Sequence, residues 1–180
     1  MNEGLIPRRY AKALYEVAVE RGQAERLYVL MTSMEHQFEA APALATTLSN
    51  PFVGDADKIA LLLTAAGASD SDSIFADFLR LLAENKRLDF APGISRAYTL
   101  LYRQERDIYR VHVVSAAPLA DDQEKRLKSF IEGHLNGASM EYTSSVDPGL
   151  IGGFVVNVDN ERLDASVRQQ LQQMRQQLIQ

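Results

Sequence analysis

Apolar side chains recur at helical spacing through the first part of the chain, up to about residue 105. Six segments show this pattern, and they are separated by Gly22, Pro42, Asn50-Pro51 and the polar run 67–73. The segments cover about 7–21, 24–40, 43–49, 58–66, 74–85 and 92–109. A series of helices with short connections predicts a compact six-helix bundle.

The first and the fifth of these segments are apolar over a wider arc than one core contact requires. A helix that faces a core on one side usually shows a stripe about 100° wide, whereas these two are apolar over roughly 200°. Their polar residues are confined to narrow wedges, such as Asp77 and Arg80 in the fifth segment. Two interpretations are open: each helix is buried on two sides within the bundle, or one side packs on the core and the other binds a partner. The second interpretation predicts an apolar groove between the two helices.

Segments with strand character follow the charged run 103–110, which marks the predicted domain boundary. Segments 111–117, 140–146 and 150–158 predict three strands. The tripeptide Asp147-Pro148-Gly149 predicts a tight turn that pairs the second strand with the third. The double glycine Gly152-Gly153 interrupts the third strand, where a neighbouring backbone can come close or a bulge can form.

Two predicted helices complete the second domain. Asp121 and Glu124 form a capping-box pattern before a helix that reaches about Leu135. Asp159-Asn160 predicts a second turn, and Asp164 is the predicted cap of the last helix. Apolar residues repeat at helical spacing in that last helix, at Val167, Leu171, Met174 and Leu178. Its glutamine-rich outer face is compatible with packing against another helix or with a solvated helix end.

The predicted fold class is therefore α+β, with an N-terminal six-helix bundle (1–105) followed by a small β-α-β-β-α module (106–180). Only two helices are available to cover the three-stranded sheet of the module. An edge or a face of this sheet is therefore predicted to be open to a partner.

Composition restricts the function further. The 180-residue chain is 46% hydrophobic, which is enough for a buried core, and its net charge of −5 argues against an electrostatic nucleic-acid footprint. Because the chain has no cysteine, disulfides and thiolate metal sites are excluded. No apolar run has the length of a membrane span, and the first residues lack the order of a secretory signal. We expect a cytoplasmic protein, most simply a bacterial one.

The motifs of common catalytic and cofactor sites are absent from the sequence. It has no P-loop pattern, no Gly-x-Gly-x-x-Gly and no Gly-x-Ser-x-Gly. His36, His112 and His134 lie in three different predicted elements, which disfavours a zinc site. Asp70 and Asp72 alternate with serine as at the start of a calcium loop, but the glycine and glutamate of that loop are missing. We therefore expect a solvated loop there, and no catalytic residues, cofactor or metal in the chain.

Five motifs, in order along the chain, resemble one protein family. They are Arg9-Tyr10-Ala11-Lys12-Ala13-Leu14, Asn50-Pro51 followed by Lys58, Phe78-Leu79 through Leu82-Ala83-Glu84-Asn85-x-Arg87-Leu88, Ser115-Ala116-x-Pro118-Leu119, and Ile151-Gly152-Gly153 with Asp164-x-Ser166-Val167. In this order they resemble the delta subunit of the F-type ATP synthase, whose mitochondrial counterpart is the oligomycin-sensitivity-conferring protein. One departure is Ala120, where the family often has a Ser or Thr cap, and Asp121 is predicted to take that role.

The resemblance implies a non-catalytic stator subunit of a proton-translocating enzyme that makes ATP. In such a subunit the helical bundle binds the N-terminal helix of an alpha subunit, in a groove between the first and fifth helices. The C-terminal module contacts the b subunits of the peripheral stalk, so the joint keeps the catalytic head from turning with the rotor. By matching position, the resemblance points to seven partner-binding residues: Tyr10, Ala13, Leu14, Val17, Phe78, Leu81 and Leu82.

The resemblance also implies a peripheral location on the cytoplasmic face of the inner membrane. Contact with the membrane would be indirect, through the rest of the complex. The alternative prediction, from a different class, is a free-standing helical adaptor that binds another peptide in the same groove.

Overall fold

The computed structural model describes residues 4–69, 71–135, 137–159 and 161–178. The chain divides into two compact units, Met1–Gln104 and Glu105–Gln180. We call them the helical unit and the sheet unit, and each is described by itself. None of the helices in the described part of the chain combines the length and the apolar composition that a bilayer crossing needs.

The helical unit is built from six α-helices and one short 3₁₀ turn in its described residues. The α-helices are α1 (Leu5–Glu20), α2 (Ala24–Ala40), α3 (Pro42–Ser49), α4 (Asp55–Ala66), α5 (Ser73–Glu84) and α6 (Ala91–Glu105), and the 3₁₀ turn is Leu88–Phe90. Pro42 was predicted to end a helix, and it also opens the next one. The first helical position tolerates proline because its N–H group would have no partner within the helix.

Large apolar side chains from α2, α4, α5 and α6 form the core of the helical unit. Those that are fully buried include Leu30, Met31, Leu62, Phe75, Leu79, Leu82, Ile94 and Tyr98. The hydroxyl of Tyr98 donates to the carbonyl oxygen of Ala24 at 3.2 Å, so its burial leaves no unpaired hydroxyl. α1 contributes the small residues Ala11 and Ala18, both fully buried, which let its backbone lie close to its neighbours.

The sheet unit contains four strands and two α-helices in its described residues. They are β1 (Ile108–Ser115), α7 (Asp121–His134), β2 (Ser139–Val146), β3 (Gly153–Val158), β4 (Glu161–Ser166) and α8 (Val167–Leu178), with a 3₁₀ turn at Pro148–Leu150. The strand order is β2-β1-β3-β4. β1 pairs with β2 in parallel and with β3 antiparallel, so Val113 lies opposite Ser144 in β2 and Val156 in β3. The core between this sheet and α7 is formed by Val111, Val113, Ile131 and Val156.

The α+β class is confirmed, but the predicted pairing of the second and third strands is wrong. The Asp147-Pro148-Gly149 tripeptide leads into a 3₁₀ turn, and β2 and β3 lie on opposite sides of β1. The reason lies in the side chains. Val111 and Val113 of β1 are 1% and 0% exposed, so β1 takes the central position. The polar end of β2, residues 143–145, is exposed and suits an edge.

A fourth strand is present where the sequence predicted a turn and a helix cap. Asp164 lies within β4, and α8 begins only at Val167. β4 pairs on one side only, with β3, so its outer edge does not need the apolar pattern of a central strand. Asn160 of the predicted second turn lies outside the described residues.

α7 begins at Asp121, so the prediction that Asp121 is the cap of this helix is wrong, and so is the predicted capping box of Asp121 and Glu124. Ala120 is the N-cap residue, and its N–H donates to the side-chain oxygen of Gln123 at 3.2 Å. Glu124 instead forms an ion pair with Lys128 one turn later, at 2.8 Å. The acidic side chains of the first turn still favour the helix, because they lie at the positive end of its dipole.

Candidate functional site

An open groove runs between α1 and α5 of the helical unit, with a volume of about 840 Å³. Apolar side chains form most of its lining: Ile6, Tyr10, Ala13, Leu14, Val17, Ile74, Phe78 and Leu81. Four charged residues complete it: Arg9, Arg21, Asp77 and Arg87. At 1.5 Å per residue, the distance along the axis of α1 from Ile6 to Arg21, the residue after its end, is about 22 Å, the length of roughly four helical turns.

Two offset apolar stripes explain the wide apolar arc of α5. Phe75, Leu79 and Leu82 are each 0% exposed and belong to the core. Ile74, Phe78 and Leu81, each one position earlier, line the groove instead. Consecutive helical positions are about 100° apart, so a second stripe offset by one residue roughly doubles the apolar arc.

α1 repeats the arrangement. Its core stripe holds Ala11 and Ala18, and its groove stripe holds Tyr10, Ala13 and Val17. Leu14 lies where the two stripes meet and is both buried and part of the lining. The interpretation in which both helices are buried on two sides is therefore wrong, because one apolar side of each opens on the groove.

The groove has a buried floor and exposed walls. Phe78 and Leu14 are only 7% and 5% exposed, whereas Leu81 and Val17 are 47% and 39% exposed. Apolar area that leaves water contributes about 25 cal/mol per Å². A segment laid into the groove would therefore gain most of its apolar contact along the walls.

An aromatic and cationic contact joins α1 to α5 at the groove. The rings of Tyr10 and Phe78 meet edge to face, with centroids 6.3 Å apart and an interplanar angle of 65°. Arg87, just beyond the end of α5, donates from Nη1 to the hydroxyl oxygen of Tyr10 at 2.8 Å. Edge-to-face pairs contribute about 0.5–1.5 kcal/mol beyond the area they bury. These contacts fix Tyr10 of α1 against Phe78 of α5 and against Arg87.

The charges at the groove differ in sign from the chain as a whole. Three arginines and one aspartate line it, although the net charge of the chain is −5. Asp77 is already paired with Arg80 at 2.8 Å. Arg9 and Arg21 are exposed and stand about 18 Å apart along α1 at 1.5 Å per residue. This arrangement favours an amphipathic helix that carries acidic residues beside its apolar face.

The structure brings six of the seven predicted partner-binding residues to this groove. They are Tyr10, Ala13, Leu14, Val17, Phe78 and Leu81. Leu82 is the exception, because at 0% exposed it belongs to the core stripe of α5 and offers no surface to a partner.

The prediction missed two apolar and four charged lining residues. Ile6 and Ile74 extend the two groove stripes by one turn, and the repeat of apolar positions from Tyr10 and Phe78 could have identified them. The apolar repeat could not have identified the four charged lining residues, because charged positions are not part of that repeat. They are Arg9, Arg21, Asp77 and Arg87.

The N-terminal end of α5 is fixed by a buried carboxylate. Asp72 is 5% exposed, and Arg26 of α2 donates to both of its oxygens, at 2.9 and 2.8 Å. The N–H and hydroxyl of Ser69 also donate to Asp72, at 2.8 and 2.9 Å. The Arg26 guanidinium, helped by Ser69, holds the pKa of Asp72 well below its usual range. The prediction of a solvated loop is wrong for Asp72, and Asp70 lies outside the described residues.

In the sheet unit, the double glycine and the Asp-x-Ser motif form a single junction. The N–H of Val167, the first residue of α8, donates to the carbonyl oxygen of Gly152 at 2.9 Å. A β carbon on Gly152 would lie 2.9 Å from Cγ2 of Val167, and one on Gly153 would overlap the carbonyl oxygen of Ala165. The predicted close approach at the double glycine is therefore confirmed.

Asp164 and Ser166, the two polar residues of this junction, are linked by hydrogen bonds that continue to the start of α8. The N–H and hydroxyl of Ser166 donate to Oδ1 of Asp164, at 3.1 and 2.6 Å, and these bonds lower the pKa of Asp164. The hydroxyl oxygen of Ser166 then accepts from the N–H of Gln169 at 3.2 Å. Ser166, not Asp164, therefore caps α8, and Asp164 orients the cap.

No cluster of three or more metal-ligating side chains occurs among the described residues. His112 lies on the exposed face of β1, within 2.9 Å of the hydroxyl of Thr143 and 3.1 Å of the hydroxyl of Ser145. These contacts link β1 to β2 and give this histidine a structural role.

Comparisons with known proteins agree with the fold and extend over nearly the whole chain. A family model described as ATP synthase delta (OSCP) subunit matches residues 6–178. The ATP synthase subunit delta of Bacteroides thetaiotaomicron is 37% identical in an alignment 180 residues long that covers 99% of this chain and 96% of that protein. Its counterpart in Parabacteroides distasonis is 36% identical over 175 residues, which are 97% and 96% of the two chains. A chain of the Toxoplasma gondii mitochondrial ATP synthase hexamer has the same fold, with a TM-score of 0.70, 22% identity and 97% coverage of both chains.

Proposed function

Because the chain belongs to the ATP synthase delta (OSCP) subunit family, we propose that its groove between α1 and α5 binds the N-terminal helix of an alpha subunit. Members of this family are non-catalytic structural subunits of ATP synthase with a role in the stator, or peripheral stalk. The free-standing adaptor is not retained, since the family match extends over residues 6–178.

The observation that supports this proposal is the second apolar stripe on each of two helices. Ile74, Phe78 and Leu81 on α5 face a groove that is also lined by Tyr10 and Val17 of α1. Exposure of this apolar surface to water is unfavourable in free energy. An amphipathic helix that lays its apolar face into the groove would cover it, which is a common mode of peptide recognition. Its length of about four turns suits an N-terminal helix of about fifteen residues.

A stator must resist torque, and the proposal gives the chain one contact surface in each unit. The six helices act as one bundle that binds the alpha subunit, and the sheet unit contacts the ends of the b subunits of the stalk. Two linked contacts raise the effective concentration of each partner, so the joint survives brief opening of either one. The complex would place the chain peripherally, on the cytoplasmic face of the inner membrane.

The proposal is tested by titrating a synthetic peptide of the N-terminal segment of the cognate alpha subunit into the full chain by calorimetry. We expect Leu81→Asp to weaken binding at least about tenfold, because it puts a charge on an apolar wall. Leu81 is 47% exposed, so the variant should remain folded. Ala13→Asp should act in the same way, whereas Leu14 is unsuitable because it is only 5% exposed and its replacement would disturb the core.

The matched control is Leu100→Asp on α6. Leu100 is 46% exposed, nearly the same as Leu81, but it does not line the groove. The control should bind the peptide as the unmodified chain does. Equal affinity for the Leu81 variant and the unmodified chain would show that the groove is not the binding site.

A further inference from the structure

Two arginines at the groove carry charges that nothing in the described part of the chain neutralises. Arg9 and Arg21 line the groove and are exposed, and neither guanidinium has an ion-pair or hydrogen-bond partner among the described residues. The other charged lining residues are engaged, since Arg87 donates to the hydroxyl of Tyr10 and Asp77 has its own ion pair on α5. Arg9 and Arg21 are therefore the positive charges that the groove offers to a bound helix.

These two arginines are far apart along the groove. Arg9 lies in the second turn of α1, and Arg21 directly follows its last residue, which separates them by about 18 Å at 1.5 Å per residue. At physiological ionic strength the screening length is about 8 Å, less than half of this distance. An acidic residue beside one arginine is therefore screened from the other. To pair with both, a bound helix needs two acidic residues about 18 Å apart, which is about twelve helical positions.

We propose that Arg9 and Arg21 are specificity-determining residues, which select a helix with two acidic residues about twelve positions apart beside its apolar stripe. The inference rests on the proposed function, since the helix is that of the alpha subunit. Apolar contacts are not directional, so the apolar lining does not by itself fix how far a helix slides along the groove. Charges near both ends of the groove fix that register.

The net charge of the chain separates this proposal from general electrostatic attraction. A chain of net charge −5 attracts basic helices if only its overall field acts on them. The two arginines predict the opposite preference at the groove, together with a dependence on the spacing of the acidic residues that an overall field does not produce.

The experiment uses the full chain and three synthetic helical peptides of about sixteen residues with the same apolar stripe. Two of them share a glutamate in the first turn and carry a second one either five or twelve positions later. These two spacings differ by only about 20° around a helix but by about 10 Å along it, so they isolate the distance along the groove. The third peptide has lysine in place of both glutamates at the wider spacing.

Fluorescence anisotropy should show that the glutamate peptide with the wider spacing binds about threefold more tightly than the one with the narrower spacing. That is the gain expected from one further exposed ion pair. The same peptide should bind at least about tenfold more tightly than the lysine peptide, because two attractive contacts become repulsive. Both differences should largely disappear in about 1 M salt, where the screening length falls to about 3 Å.

Variants of the chain assign the preference to the two arginines. Arg9→Gln/Arg21→Gln should bind both glutamate peptides equally, whereas Arg9→Lys/Arg21→Lys should keep the preference for the wider spacing because it keeps both charges. The matched control is Arg8→Gln/Lys12→Gln, which changes the net charge by the same amount. Both of its residues are exposed on α1 and lie outside the groove lining, so the control should keep the preference.

The inference is overturned if the unmodified chain binds the two glutamate peptides equally, or if the control variant loses the preference as the variant of Arg9 and Arg21 does. Leu81→Asp is titrated in parallel with the designed peptides and with the alpha-subunit peptide. If it weakens the alpha-subunit peptide while the spacing of the glutamates has no effect, the charge rule fails and the proposed function stands. If it weakens none of the peptides, the proposed function fails together with the inference.

Discussion

At the scale of single residues, Asp72 contributes more to the stability of the fold than its position in a polar sequence segment suggests. A buried carboxylate is costly unless it is paired and hydrogen-bonded. Asp72 meets this condition with Arg26 on one side and Ser69 on the other. Because Asp72 directly precedes α5, the pair ties the start of one groove wall to α2.

Replacement of Asp72 tests this contribution through pH. Because the folded pKa of Asp72 is lowered, its stabilisation is complete above the unfolded carboxyl pKa of about 3.9 and is lost as the pH falls towards the lower folded value. Asp72→Asn should lower the free energy of unfolding by about 1–2 kcal/mol at neutral pH. In urea titrations this difference from the unmodified chain should shrink below about pH 4.

Asp77→Asn is the control, since Asp77 is an exposed residue with its own ion pair to Arg80. Its effect should stay within about 0.5 kcal/mol. A penalty for Asp72→Asn that is the same at every pH would show that the carboxylate charge does not stabilise the fold.

Two neighbouring leucines show that the sequence alone does not predict which apolar residues of α5 are exposed and which are buried. Leu81 and Leu82 are both apolar and adjacent on α5, yet one is 47% exposed in the groove and the other is 0% exposed in the core. The sequence predicted the doubled apolar arc, which came from periodicity alone. It could not assign the two stripes, because that depends on which side the other helices pack.

At the scale of elements, the junction of β3, β4 and α8 depends on one glycine. Gly153 has φ +78°, and a β carbon there would meet the backbone of β4. Gly153→Ala should destabilise the chain by about 2–4 kcal/mol, the sum of strain at positive φ and displacement of a strand.

Gly137→Ala is a matched control for this variant, because Gly137 has φ +79° and nothing within 4 Å of its missing β carbon. It should lose only about 1–2 kcal/mol, the cost of the positive φ. Thermal unfolding of both variants checks the comparison. If the two lose the same amount, the close approach at Gly153 contributes nothing.

The helices could be predicted from the sequence, whereas the sheet could be predicted only in part. Helical periodicity is a local signal, and the six predicted helices begin and end within a few residues of the observed bounds of α1 to α6. Strand order depends on contacts between distant segments, so the Asp147-Pro148-Gly149 tripeptide predicts a hairpin that the sheet does not contain. β4 was missed because an edge strand with polar residues has no pattern that separates it from a loop.

At the scale of the whole molecule, the groove of the helical unit is lined by three arginines and one aspartate in a chain of net charge −5. Its three arginines are Arg9, Arg21 and Arg87. The overall acidity disfavours non-specific binding of acidic helices elsewhere on the chain. The charge preference proposed for the groove therefore differs from that of the chain as a whole.

The central claim is that the groove between α1 and α5 holds the alpha-subunit helix. The most direct measurement is a nuclear magnetic resonance titration of the ¹⁵N-labelled full chain with the alpha-subunit peptide. The largest shifts should fall on the amides of Ala13, Val17, Phe78 and Leu81, while Leu100 and the sheet unit stay unchanged. Shifts centred on another face of the helical unit or on the sheet unit, with the groove unaffected, would contradict the account.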